Sequence, residues 1–188
     1  MFLRVQAANV LACDFLTVET AFLQRIYVLF FMSLATRRIE YIACSSTPGG
    51  RWVEQQARNL VMQLGDEQPF RFLVHDSDTK FSHAFDEIFR TEGIKVTRTP
   101  IQAPNANAHA ECWVRTLRAD CLDRILILGR RHLEHVLSVY RRHYNEHRPH
   151  RALDLFPANG RDPTSPNAPD RLQRRDLLGG LIHEYEAA

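Results

Sequence analysis

Three apolar runs rich in β-branched and aromatic residues, Val10 to Val18 (VLACDFLTV), Ile26 to Leu34 and Arg38 to Cys44, follow one another with only short polar links. Strands joined that closely leave no room for a crossover helix, so they pair antiparallel as a meander, and any sheet the chain builds must start from it. The first run carries one acid, Asp14. A carboxylate inside a buried strand is costly unless it is paired, protonated or bound to a cation, which leaves a satisfied structural aspartate and a functional one as the two readings. The second run is nine residues flanked by Arg25, Arg37 and Arg38, too short to cross a bilayer.

Beyond the meander, Trp52, Val53, Ala57, Leu60, Val61 and Leu64 recur at helical spacing, so Gly50 to Leu64 is expected to be a helix closed by Gly65. Phe70 to His75 reads as a strand that stops at Asp76-Ser77-Asp78. Carboxylates at a strand end are where α/β sheets place ligand chemistry, although two acids one residue apart also suit a plain turn. A helix with Phe85, Ile88 and Phe89 and a strand from Ile94 to Thr99 follow. Then comes PNANAHAECWVRTLRADCLDRI, Pro104 to Ile125. At about 100° per residue, Trp113, Val114, Leu117, Cys121 and Ile125 line an apolar stripe. Glu111, Arg115 and Arg118 share another face, and Asn107 is a candidate cap.

Arg130 to His147 is a further helix. Its His143 and His147 have an i, i+4 spacing that can bind zinc, but no HExxH context supports that. Five prolines and glycines between Phe156 and Pro169 make an extended linker, and LQRRDLLGGLIHEYE is expected to be a small hairpin about Gly179-Gly180, with a broken helix as the rival. The expected division is therefore a core over residues 8–151 and a proline-rich linker with a hairpin-like tail over 152–188.

At 188 residues, 45% of them hydrophobic, the chain can bury one full core, and its net charge of +2 decides little. The distribution is more informative: from Glu111 to Arg151 nine arginines face five acids, a segment suited to phosphates or to a solvated helical surface. Cys13, Cys44, Cys112 and Cys121 show no CxxC spacing and read as reduced thiols, with Cys112 as buried or inert filler.

Asp14 in the first strand, Asp76 at the end of the fourth and Glu111 at the start of a long helix can converge. Three oxygen donors favour Mg²⁺ or Mn²⁺ over zinc. Two such ions, roughly 3.5–4 Å apart, suit phosphoryl transfer, activating the attacking oxygen and stabilising the leaving one. The arginine-rich stretch would hold the polyanion.

With these residues in view the chain resembles the integrase core domain of DDE transposases, the retroviral-integrase superfamily, and in particular bacterial insertion-sequence transposases. CDFLTVET matches the family's first motif. DSDTKF matches its Asp followed five residues later by Phe, with Asp76 and Phe81, and PNANAHAE matches P-x-x-N-x-x-x-E, with Asn107 and Glu111. Asp76 and Glu111 are 35 positions apart, as the family requires, and YNEHRPHRAL resembles its trailing segment. Asp78 competes as second acid but lies three residues from Phe81.

The resemblance implies an α/β, RNase H-like fold, with a mixed five-stranded sheet, flanking helices and a small C-terminal extension. It implies Asp14, Asp76 and Glu111 as catalytic ligands of two Mg²⁺ or Mn²⁺ ions, and hydrolysis at an element end followed by attack of the 3′-hydroxyl on target DNA. Lys80, Asn107, Arg115 and Arg118 are the implied DNA contacts. A homo-oligomer acting on element ends and target DNA is expected, in the bacterial cytoplasm, associated with the nucleoid when bound to DNA and away from membranes. The chain departs from the family at Cys112, where an arginine is usual. The first strand also starts about ten residues from Met1, where family members carry a helix-turn-helix, so a separate end-recognition subunit is expected. The rival readings are a non-catalytic remnant or accessory protein that binds DNA or dimerises, and a nuclease without strand transfer.

Overall fold

The computed structural model describes residues 9–65, 68–98, 108–160 and 172–187. The meander forms as expected: β1 (Val10–Glu19), β2 (Arg25–Ser33) and β3 (Ile39–Ser45) pair antiparallel in sequence order. α1 (Gly50–Leu64) leads to β4 (Phe72–His75), which returns parallel beside β1. α2 (His83–Thr91) leads to β5 (Lys95–Arg98), parallel to β4, giving the mixed five-stranded order β3-β2-β1-β4-β5. α3 (Ala108–Asp120), a 3₁₀ turn (Leu122–Arg124) and α4 (Arg130–Glu146) follow. Another 3₁₀ turn (Arg151–Leu153) precedes β6 (Leu172–Leu177) and β7 (Ile182–Ala187).

The sheet is apolar on both faces because helices cover both. Leu11 and Cys13 of β1 point towards α1 and α2, joining Leu29, Phe31, Val53, Leu60, Phe85 and Phe89. Leu16 and Val18 point the other way, with Val28, Phe30, Trp113, Leu117, Leu133 and Tyr140 beneath α3 and α4. Period-two alternation along one strand thus feeds two cores. The α3 stripe is as expected at Trp113, Leu117 and Cys121, all buried, but the helix stops at Asp120 rather than reaching Ile125. Cys121 leaves helical geometry (φ −138°, ψ −66°) and Ile125 is extended.

The tail is a hairpin, not a broken helix: β6 and β7 pair antiparallel from Leu172↔Ala187 to Leu177↔Ile182. Its turn holds Leu178, Gly179 and Gly180 at φ +51°, +71° and +89°, a run of left-handed backbone that glycine tolerates best. Ile182 is buried against the α3–α4 core, with Leu177, Leu178 and Leu181 packed beside it. The carboxylate of Glu184, 1% exposed, faces Nδ1 of His143 at 3.2 Å and Nε2 of His147 at 3.7 Å. His143 of α4 and His147 just past its end are therefore a docking point for the hairpin.

Candidate active site

Asp14 lies in the middle of β1, and the ladder fixes where it faces. Its cross-strand partner on β2 is Phe30, whose ring packs 4.2 Å, centroid to centroid, from that of Trp113 on α3. Partners across an antiparallel pair share a face, so Asp14 is on the α3 side. On its other flank β1 pairs with β4 as Val10↔Phe72, Leu11↔Leu73 and Ala12↔Val74. Continued by two residues, that register sets Asp14 level with Asp76, where β4 has just ended. Burial, and then the nearby Asp14 and Asp76 carboxylates, push the Cys13 thiol well above its ordinary pKa, so both acids act on the same short piece of β1.

Glu111 comes from the first turn of α3. It lines a cleft of about 510 Å³ with Asp14, Phe15, Arg115, Arg118 and Asp123. Arg118 donates to the carbonyl oxygen of Thr17 at 2.7 Å, which ties α3 to the end of β1. Arg115 lies 3.8 Å from the sulfur of Cys112, which is exposed rather than buried. The other three thiols are buried.

The loop after β4 separates the two neighbouring acids. Oδ1 of Asp76 accepts the Asp78 amide at 3.1 Å. Asp78 accepts the Lys80 amide at 2.9 Å and its ammonium at 2.6 Å. Burial opposes the charge of Asp78, yet these Lys80 bonds hold its pKa below the ordinary carboxylate value. Lys80 also sits over the rings of Phe15 of β1 (5.2 Å) and Tyr27 of β2 (5.6 Å), so its ammonium faces the sheet as well as Asp78. Asn107 lies outside the described residues.

Carboxylates from two elements in one cleft are hard oxygen donors of the kind a divalent cation takes. Among the described residues, no three His, Cys, Asp or Glu side chains stand close enough together to hold a metal ion. The donor chemistry fits Mg²⁺ or Mn²⁺, while the acids share a region without being gathered into a cluster. The sequence reading missed His75 and Asp86, a buried pair with Nε2 3.0 Å from Oδ1. A histidine ending an apolar strand directly before Asp76 was the available signal.

Residues 92–157 match the family model of the integrase core domain. The fold is similar to the catalytic domain of Mos1 mariner transposase, with a TM-score of 0.60 and 13% identity over 74% of this chain and 75% of that one. It is similar to the catalytic core domain of BIV integrase, with a TM-score of 0.52 and 14% identity over 76% and 87%. It is also similar to a chain of the simian T-cell lymphotropic virus intasome, with a TM-score of 0.62 and 11% identity over 96% and 67%. The Mos1 catalytic domain has further structures with Mg and with Mn. No curated protein sequence matches the chain.

Proposed function

From a chain with an integrase core domain match and the RNase H-like fold of DDE transposase and integrase catalytic domains, we propose a DNA-cutting and strand-transferring enzyme dependent on Mg²⁺ or Mn²⁺. The observation that carries it is the cleft shared by Asp14 and Glu111; the parallel β1–β4 register, which runs as far as Ala12↔Val74, supports Asp76 as their partner, because two more residues along it lead from Asp14 to Asp76 just beyond β4. Asp14, Asp76 and Glu111 are the proposed ligands of two ions. When bound, such ions supply Lewis-acid activation of the attacking oxygen and charge neutralisation at the leaving one. Asp76 serves as second acid in preference to Asp78, whose carboxylate is already committed to Lys80.

The chain's own residues orient the substrate. Arg115 and Arg118 line the cleft beside Glu111 and hold phosphate oxygens, with Asn107 a further DNA contact. Lys80 reaches DNA only by giving up Asp78, so its stronger role is to hold the loop. The partners in this reading are element ends and target DNA and a second copy of the chain, in the bacterial cytoplasm and nucleoid. No helix among the described residues is long and apolar enough to cross a membrane.

A second reading, a non-catalytic relative that binds DNA or dimerises, draws on the acids not being clustered. A labelled duplex with a free 3′-hydroxyl, incubated with Mn²⁺ and plasmid, separates the possibilities. Strand transfer predicts label covalently joined to plasmid; cutting without joining identifies a nuclease, and neither product identifies the non-catalytic relative.

A further inference from the structure

The buried His75–Asp86 pair does not belong to the acid set, and its place is unusual. β4 is four residues long, and after His75 the chain passes through residues 76–78 with no strand or helix to hold it. The acid proposed as second ligand stands at the first of these positions. The hydrogen bonds described above for this loop, from the Asp78 amide to Asp76 Oδ1 and from Lys80 to Asp78, stay within residues 76–80, so how well Asp76 is fixed depends on what its backbone bonds outside them.

His75 supplies such a bond. Its Nδ1 lies 2.6 Å from the carbonyl oxygen of Asp76. The ring is itself fixed on every side described: Nε2 meets Oδ1 of Asp86 at 3.0 Å, and the rings of Phe81 and Phe85 pack at 4.5 and 5.6 Å. Asp86, 2% exposed on α2, is braced in turn by Arg98 of β5 at 2.8 Å and Arg90 at 3.5 Å. A continuous line of polar contacts therefore runs from Arg98 through Asp86 and His75 to the backbone of Asp76. Burying such a set is costly, and an apolar residue would pack against Phe81 and Phe85 at less expense. What the imidazole adds is the oxygen atoms its two nitrogens touch.

We propose that His75 is a positioning residue that locks the Asp76 end of β4, with Asp86 and Arg98 as its brace. The consequence for metal binding rests on the reading of Asp76 as a ligand. His75→Asn keeps an N–H near the Nδ1 position, and His75→Gln places one near Nε2, so the pair separates the bond to Asp76 from the bond to Asp86. Amide hydrogen exchange over residues 76–78 in the metal-free protein tests the lock, and calorimetric Mn²⁺ titration tests its consequence.

In His75→Gln, exchange over 76–78 rises and Mn²⁺ affinity falls by about tenfold or more, while His75→Asn stays within about threefold of the parent. Arg98 is half exposed and its replacement leaves the core intact, so Arg98→Gln gives a smaller rise in exchange, about twofold, should His75→Gln unfold. Unchanged exchange in His75→Gln or, where that variant unfolds, in Arg98→Gln overturns the proposal, as does an Asn variant as impaired as the Gln variant. Faster exchange in His75→Gln with no saturable Mn²⁺ binding by the parent upholds the lock and removes the metal reading instead.

Discussion

At the residue scale the carboxylates of this chain differ in what holds them: Asp78 is bonded to Lys80, whereas Asp14 and Glu111 line an open cleft. Asp14 was legible as an oddity, an acid inside an apolar strand; the β1–β2 ladder pairs it with Phe30 on the α3 side, and it lines one cleft with Glu111. Spacing to Phe81 favours Asp76 over Asp78, and the Lys80 ammonium, which no sequence pattern shows reaching back to Asp78, adds a physical reason for the same choice. Asp76→Asn is therefore expected to lower metal-dependent plasmid nicking by about 10³-fold, whereas Asp78→Asn lowers it by less than about tenfold. Initial nicking rates at saturating Mn²⁺ check this, and equal losses would contradict it. His75 and Asp86 were not legible as a pair, because they lie on different elements and only the packing of α2 on the sheet joins them.

At the element scale the segment Tyr144 to His150 shows why a recognisable motif need not touch substrate. Oδ1 of Asn145 accepts the Ile39 amide at 2.9 Å, and its Nδ2 donates to the Ile39 carbonyl at 3.0 Å, clamping α4 to the start of β3. Tyr144 meets Trp113 edge-on, and its carbonyl faces Nε2 of His150 at 3.2 Å. Arg148 reaches Asp120 at the end of α3 at 3.2 Å. The segment thus binds α3, α4 and the sheet edge into one body. Asn145→Ala leaves two buried backbone groups without partners and is expected to cost about 2–4 kcal/mol in urea unfolding. A loss under about 0.5 kcal/mol would contradict the clamp. Strand and helix existence was legible from periodicity, whereas the end of α3 was not, because the apolar stripe continues through a 3₁₀ turn that buries Leu122 as the helix buried Leu117.

At the scale of the whole molecule, several elements meet around half-buried or buried histidines. Burial lowers the pKa of His143 below its ordinary 6.5; Glu184 opposes that shift, while His147 and Arg148 add to it. Burial lowers His150 likewise, against its bond to the Tyr144 carbonyl and with help from Arg148 and Arg37. The unfolded chain therefore takes up protons that the folded chain resists. Their contribution to stability is full above about pH 6.5 and is lost as the pH drops below it. The melting temperature is expected to fall by about 2–4 °C between pH 7.5 and 5.5, and by less in His150→Gln. A flat profile, or a rise on acidification, would contradict this. The hairpin's existence was legible from Gly179-Gly180 between apolar arms, but its seat on α4 depends on Glu184, an acid the local sequence gives no reason to bury.

In the proposed function Asp14, Asp76 and Glu111 act together on DNA through divalent ions. The most direct test incubates the purified protein and its Glu111→Gln variant with supercoiled plasmid, with Mg²⁺, Mn²⁺ or EDTA, after circular dichroism shows both folded. Nicked or joined products that require the metal are expected, falling by at least about 10²-fold in the variant. Equal products from the two proteins, or none from either, would contradict the proposed function.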